Sequence, residues 1–160
     1  MPPLHAGWAR RGEPAPVPIS GANAKRVLFG VLNIDTGYRL FLDRPHQRGA
    51  DFRAFLQVVR RQYRGRHIAM VLDEDSSHTA GASRAVAAEL GIELLWLPKR
   101  SPHLNPMDHL WRHGKEVKCV NHQYASIEEQ VQRFTEYLDG LTPEQALLKA
   151  GVLSDDFWIY

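Results

Sequence analysis

The sequence predicts an α/β fold, a mixed sheet in which an antiparallel hairpin is followed by parallel strands with helices on its faces. Three observations carry that expectation. Two apolar runs, residues 25–34 and 38–43, flank the turn sequence Asp35-Thr36-Gly37. Two more, 67–72 and 92–97, are separated by a helical stretch, and a strand–helix–strand unit implies parallel pairing with a right-handed crossover. Between the hairpin and that unit, Phe52, Phe55, Leu56, Val59 and Tyr63 recur at three- and four-residue spacing. That spacing makes one apolar stripe on a helix.

Taken in order, residues 1–24 are a proline-rich lead-in with Pro2, Pro3, Pro14, Pro16 and Pro18, expected to be irregular apart from a short strand near Trp8. The first strand, 25–34, is most apolar over 27–32. Gly37 can take positive φ in the turn, and 38–43 returns as the second strand. A helix over 49–64 keeps Arg53, Arg60, Arg61 and Arg64 largely off its apolar stripe. The strand 67–72 follows. An alanine-rich helix over 79–90 ends at Gly91, a good C-cap. Residues 92–97 are almost entirely apolar, as in a strand covered on both faces. Pro98, Ser101 and Pro102 stop it. Asn105 is a good N-cap, and Pro106 at the first helical position presets φ without losing a needed donor. That helix should reach about Val120. Ser126 caps another, with Glu129 completing a capping-box pattern and Ile127, Val131, Phe134 and Leu138 as its apolar face. Pro143 starts a last short helix to Ala150. The expected organisation is a lead-in (1–24), an α/β core (25–122) and a helical tail (123–160).

The chain has 160 residues, enough for one domain with a real core. A hydrophobic content of 44% and a charged content of 24% are ordinary for a globular protein. No apolar run approaches the roughly 20 residues of a membrane span, so no membrane role is expected. No signal-peptide pattern opens the chain, and the expected location is the cytoplasm, at the bacterial nucleoid. Cys119 is the only cysteine, which excludes an internal disulfide, and its expected role is packing. The net charge of +2 says little, but its distribution says more. Residues 39–66 hold eight arginines against Asp43 and Asp51, a balance of +6, while 126–160 sum to −5. A basic body suits phosphate binding; the same arginines also suit a solvated helix face.

Two acids stand out. Asp73 follows an apolar strand, at the edge of α/β sheets where ligands and metals bind. Asp108 falls in the first turn of the Pro106 helix, facing the positive end of its dipole. A capping role, reaching back to the Asn105 amide, is the alternative for Asp108. Between the two acids lie 34 residues. His109 and His113 stand four apart on one helix, a metal-ligand spacing, but Leu110 occupies the place of a zinc protease's Glu and no third ligand is obvious.

Val71-Leu72-Asp73 with His78, then Leu97-Pro98, Ser101-Pro102, Leu104-Asn105-Pro106, Asp108 and Trp111, resemble the catalytic domain of the DDE transposases. The match is to the mariner-like superfamily and its bacterial insertion-sequence relatives. The Ser-Pro-x-Leu-Asn-Pro-x-acid string is its specific part, and the resemblance runs from about Trp8 to Trp111. It implies an RNase H-like fold and three carboxylates that bind divalent metal. Asp73 and Asp108 take the second and third places, as catalytic residues and as ligands of two Mg²⁺ or Mn²⁺ ions. Two such ions can activate an oxygen nucleophile and stabilise a leaving oxygen, and hard cations prefer carboxylate oxygens. Lys99, Arg100, Arg112 and Lys115 would grip DNA phosphates. Glu74 departs from the usual Asn of the family and Arg100 from a common aromatic. Glu74 and Asp75 are read as spare ligands or as drift.

The resemblance also places the first acid on a central strand upstream of a segment like Trp8-Ala9-Arg10-Arg11-Gly12. By that alignment the strand at Lys25 is the second, and the first strand and its acid lie before Met1. Asp35, which also ends an apolar strand, is the alternative first acid. Without a central strand the flanking strands would expose unpaired backbone groups, and the isolated chain should be marginally stable. The function implied is metal-dependent DNA cleavage and strand transfer at transposon ends and target, by an incomplete copy. The rivals are an inactive remnant that binds only DNA or a partner subunit, and a host nuclease on the same fold. The partners implied are DNA and a second copy or a full-length transposase.

Overall fold

The computed structural model describes Arg11 and residues 24–154, so the expected lead-in and the strand near Trp8 lie outside the described residues. Strands β1 (Val27–Leu32) and β2 (Arg39–Arg44) form the antiparallel hairpin, with Val27 opposite Arg44 and Leu32 opposite Arg39. Successive side chains of a strand point to opposite faces, and here each face meets a different core. Val27, Phe29 and Val31, with Leu40 and Leu42, pack against helix α1 (Gly49–Gln62). Leu28, Leu32 and Phe41 belong to a second core on the other face.

The hairpin connection is longer than the expected three residues. The Asn33 side-chain oxygen accepts from the N–H groups of Asp35 (2.9 Å) and Thr36 (3.0 Å). The Gly37 N–H, at φ +70°, donates to the Asn33 carbonyl. The turn is thus organised by an Asx residue one step before the strand's expected end.

The parallel unit is β3 (Ile68–Leu72) and β4 (Ile92–Trp96), with Ile68 beside Ile92. Its crossover corrects the single helix expected over 79–90. There are two helices, α2 (Ser76–Thr79) and α3 (Gly81–Glu89), broken at Ala80 with ψ 135°. Asp75 caps α2, and the buried Ser83 hydroxyl donates to the Ser77 carbonyl (2.7 Å), which holds the break in place. Met70, Leu72, Ile92 and Leu94 face the core shared with α1 and α3. A second correction concerns the strand expected to be covered on both faces. Val71 and Leu95 point the other way and are 50% and 41% exposed. Apolar composition alone did not reveal that helices cover only one side of this pair. Among the described residues, no hydrogen bonds join the two strand pairs into one sheet.

Helices α4 (Pro106–Lys118), α5 (Ile127–Asp139) and α6 (Pro143–Lys149) build the second core around the fully buried Leu110 and Leu138. Trp111 is its hinge with the hairpin. Its ring lies 5.3 Å from that of Phe41 and is stacked 5.7 Å from that of Phe134. A Cβ on Gly30 would come within 2.4 Å of the indole, so the strand must carry glycine there. The Arg39 guanidinium donates to the carbonyls of Asp139 (3.0 Å) and Leu141 (2.7 Å), tying the α5–α6 connection to the hairpin. The caps follow the sequence with one change. The Ser126 hydroxyl accepts from the Glu129 N–H (3.1 Å), but the Glu129 carboxylate reaches the Ala125 N–H instead of that of Ser126. The complete capping box is at Thr142 and Gln145. Among the described residues no helix is long and apolar enough to cross a membrane.

Candidate active site

Parallel pairing brings the carboxyl ends of β3 and β4 to one edge. The Leu97 N–H donates to the Leu72 carbonyl (2.9 Å), extending the ladder one step, so Asp73 and the Pro98 loop leave the sheet together. The loop turns at Arg100, which holds a left-handed φ of +60°, then makes a 3₁₀ turn over Pro102–Leu104. The Asn105 side chain caps α4 by accepting from the Met107 N–H (3.0 Å). Its own N–H donates to the Pro102 carbonyl (3.1 Å). That amide is therefore satisfied locally, and the capping role for Asp108 is not adopted.

The result is a cleft of about 480 Å³ whose charged lining is Asp73, Glu74, Asp75, Lys99, Arg100 and Asp108. Burial pushes the Asp108 carboxyl above its usual range, and the negative charge of Asp73 pushes the same way. Lys115, His109 and Arg112 offset part of this. Asp75 behaves differently. Burial would raise it, but the Ser77 hydroxyl and N–H, with His78 and Gln47, bring it below the ordinary value. Its oxygen accepts from Ser77 N–H (2.8 Å) and from the Ser77 hydroxyl, so it is a cap and not a spare ligand. Glu74 is 3.6 Å from Lys99 in an exposed ion pair, which contributes little to stability.

His78, which the sequence singled out only through the family resemblance, lies against Asp73. Its Nδ1 lies 2.8 Å from Asp73 Oδ1 and 3.2 Å from the Asp73 carbonyl, and its ring packs 4.4 Å from that of Phe52. Spacing alone gives no sign of this, because α2 was not visible as a separate turn.

The other candidates separate from the cleft. Asp35 lies in the hairpin turn and is absent from the cleft lining. The Nε2 atoms of His109 and His113 approach different partners, the His103 carbonyl and the Tyr137 hydroxyl, each at 2.8 Å. Cys119 is buried, which raises its thiol pKa. Lys115 lines a second cavity of about 440 Å³ with Arg26 and Gln47. Arg60 donates to the carbonyls of Leu90 (3.4 Å) and Arg66 (2.7 Å), fastening the ends of α3 and α1. Among the described residues no group of three or more His, Cys, Asp or Glu side chains is placed to hold a metal ion. With Asp75 held by Ser77 and Glu74 paired with Lys99, the carboxylates left to face the cleft are Asp73 and Asp108. Mg²⁺ sites commonly use one or two carboxylates with water and substrate phosphate, so this pair fits such an ion.

A hairpin beside a parallel strand pair, with one acid at the pair's carboxyl edge and another at the start of the following helix, is the arrangement of an RNase H-like fold. The model of the DDE superfamily endonuclease family matches residues 1–131, and the chain belongs to that family. It is 24% identical over 144 residues to the insertion element IS630 uncharacterized 39 kDa protein of Shigella sonnei, covering 89% of this chain and 42% of that one. The chain therefore spans less than half the length of this curated relative. The Mos1 transposase paired-end complex with left transposon end shares the fold, with a TM-score of 0.72 and 20% identity. That similarity covers 98% of this chain and 49% of the other. The Mos1 transposase catalytic domain with Raltegravir and Mn gives a TM-score of 0.66 at 22% identity, over 84% and 72% of the two chains.

Proposed function

We propose that this chain forms the part of a transposase that carries two of its metal-binding acids, acting on DNA ends by phosphodiester cleavage and strand transfer. The observation that supports it best is the pairing of Asp73 and Asp108 in one cleft, close enough for one charge to raise the other's pKa. Such repulsion is what a bound cation relieves. Asp73 and Asp108 would hold the divalent metal, and a related catalytic domain was solved with Mn. When bound, the metal polarises a phosphate oxygen and lowers the pKa of a bound water. The chain's own contribution is to hold the two carboxylates on rigid element ends. Lys99 and Arg100, at the mouth of the cleft, would bind phosphates of the incoming strand. Arg112 would extend that contact along α4, whereas Lys115 lines the second cavity. DNA is the substrate, and a second copy or a longer transposase is the protein partner.

A second reading is favoured because, among the described residues, no third acid joins Asp73 and Asp108 in a group placed to hold a metal ion. On that reading the chain binds DNA or a transposase subunit without cleaving. The two are separated by incubating the chain with duplexes bearing the element's ends and Mn²⁺. Cleavage by the wild type that drops at least about 100-fold in Asp73→Asn and Asp108→Asn supports the first reading, as expected for removal of a catalytic metal's ligand. Retained cleavage in Asp73→Asn sinks the assignment. DNA binding without any cleavage by the wild type selects the second reading.

A further inference from the structure

We propose that His78 is a positioning residue for Asp73, orienting its carboxylate for a divalent cation through an Nδ1–H donor. The inference rests on the reading of Asp73 as a metal ligand. Nδ1 faces two acceptors at once, Asp73 Oδ1 at 2.8 Å and the Asp73 carbonyl oxygen at 3.2 Å. Only a ring with hydrogen on Nδ1 can satisfy either.

Both ends of this contact are set by the fold. The imidazole is held by its packing on Phe52 of α1, and its side chain is only 16% exposed. Its backbone sits in α2, whose start is fixed by the Asp75 cap and whose end is fixed by Ser83 on Ser77. Asp73, by contrast, is 63% exposed at a strand end. An exposed carboxylate in that position turns freely about two bonds unless something holds it. The Asp75 N–H also points to Oδ1, at 3.4 Å. Both donors thus engage the same oxygen, and neither touches Oδ2. Oδ2 would then be left for a cation. Fixing a ligand before the metal arrives removes an ordering cost from binding. Outer partners of metal ligands commonly contribute about 10- to 100-fold to metal affinity.

The shape of the imidazole supplies a test that separates the donor from the packing. The amide nitrogen of Asn overlays Nδ1, whereas that of Gln overlays Nε2. Phe keeps the ring against Phe52 and removes the donor. Mn²⁺ binding to the full chain, read by electron paramagnetic resonance of the free ion, should weaken about 10-fold or more in His78→Phe and His78→Gln. His78→Asn should stay within about threefold of the wild type, because its donor is in place. Wild-type affinity in His78→Phe together with loss in His78→Asn would show that only packing matters, and would overturn the proposal. Asp73→Asn is the control for the underlying reading. Unchanged Mn²⁺ binding there means that the ligand assignment itself fails, while its loss alongside wild-type binding in His78→Phe refutes the positioning role alone. A metal-free readout stands beside these. Nitrogen-15 spectra of the wild-type imidazole should show the proton on Nδ1, and a proton on Nε2 with Nδ1 bare would refute the proposal however the metal binds.

Discussion

Asp108 shows how one side chain carries opposing demands. Its carboxyl is half-buried at a helix start and beside Asp73, and both burial and that neighbour raise its pKa. With the folded pKa above the unfolded one, the folded state binds the extra proton between the two values. Stability therefore falls as pH rises through that interval, and the metal-free chain carries the penalty at neutral pH. Replacing Asp108 by Asn should raise the Tm of the metal-free chain relative to the wild type at pH 7, by a few degrees at most. The gain should shrink below about pH 4, where the wild-type acid is protonated. Added Mn²⁺ should raise the Tm of the wild type and not that of the variant. Thermal melts at the two pH values, with and without Mn²⁺, decide it. If attraction to the helix dipole outweighed burial, the variant would be the less stable at pH 7. The acid itself was legible in the sequence because Asn105-Pro106 marks the helix start. Its raised pKa was not, because that depends on Asp73 lying across a cleft.

Helix α4 places Asp108, and its position depends on close contacts with small residues. A Cβ on Gly114 would lie 2.8 Å from the ring of Phe134 and 3.1 Å from Leu138, both buried. Gly114→Ala should destabilise by up to about 2 kcal/mol. The overpacking term of about 1–3 kcal/mol is offset in part by a gain in helix propensity of about 1 kcal/mol. Urea unfolding with an unchanged m-value checks this. A stabilised variant would show that α5 yields freely. The helices α4, α5 and α6 were legible from Asn105-Pro106, from Ser126 and from Pro143. The break at Ala80 was not, because alanine composition reads as continuous helix. What interrupts it is a bond between Ser83 and Ser77 that only the folded crossover makes.

Across the molecule, the two strand pairs differ in how they are covered. The hairpin has helices on both faces, whereas β3–β4 is covered by α1 and α3 on one. Each pair keeps an edge with no strand partner among the described residues, and Val71 and Leu95 stay exposed. Free edges and exposed apolar surface favour association over isolated stability. The isolated chain should melt below about 45 °C, the low end of the range for mesophilic domains. It should also sediment with a concentration-dependent mass. A cooperative melt above about 65 °C with a fixed monomer mass would contradict this.

Local chemistry in the chain was enough to read the hairpin, the parallel unit and the helices α1 and α4 to α6, and to single out Asp73 and Asp108 as candidates. Periodicity, caps and the Ser-Pro-His-Leu-Asn-Pro-Met-Asp string are all properties of neighbouring residues. Membership of the DDE superfamily endonucleases followed from the same string and is shown by the match over residues 1–131. Four features waited on the three-dimensional arrangement: the shared cleft, the grip of His78 on Asp73, the lock of Arg39 on the α5–α6 connection, and the exposed face of β3–β4. The cleft and the Arg39 lock join segments distant in sequence, the His78 contact needs α2 seated on Phe52, and the exposed face depends on which side of a strand a helix happens to cover. An apolar residue reads the same in the sequence whether or not anything lies against it.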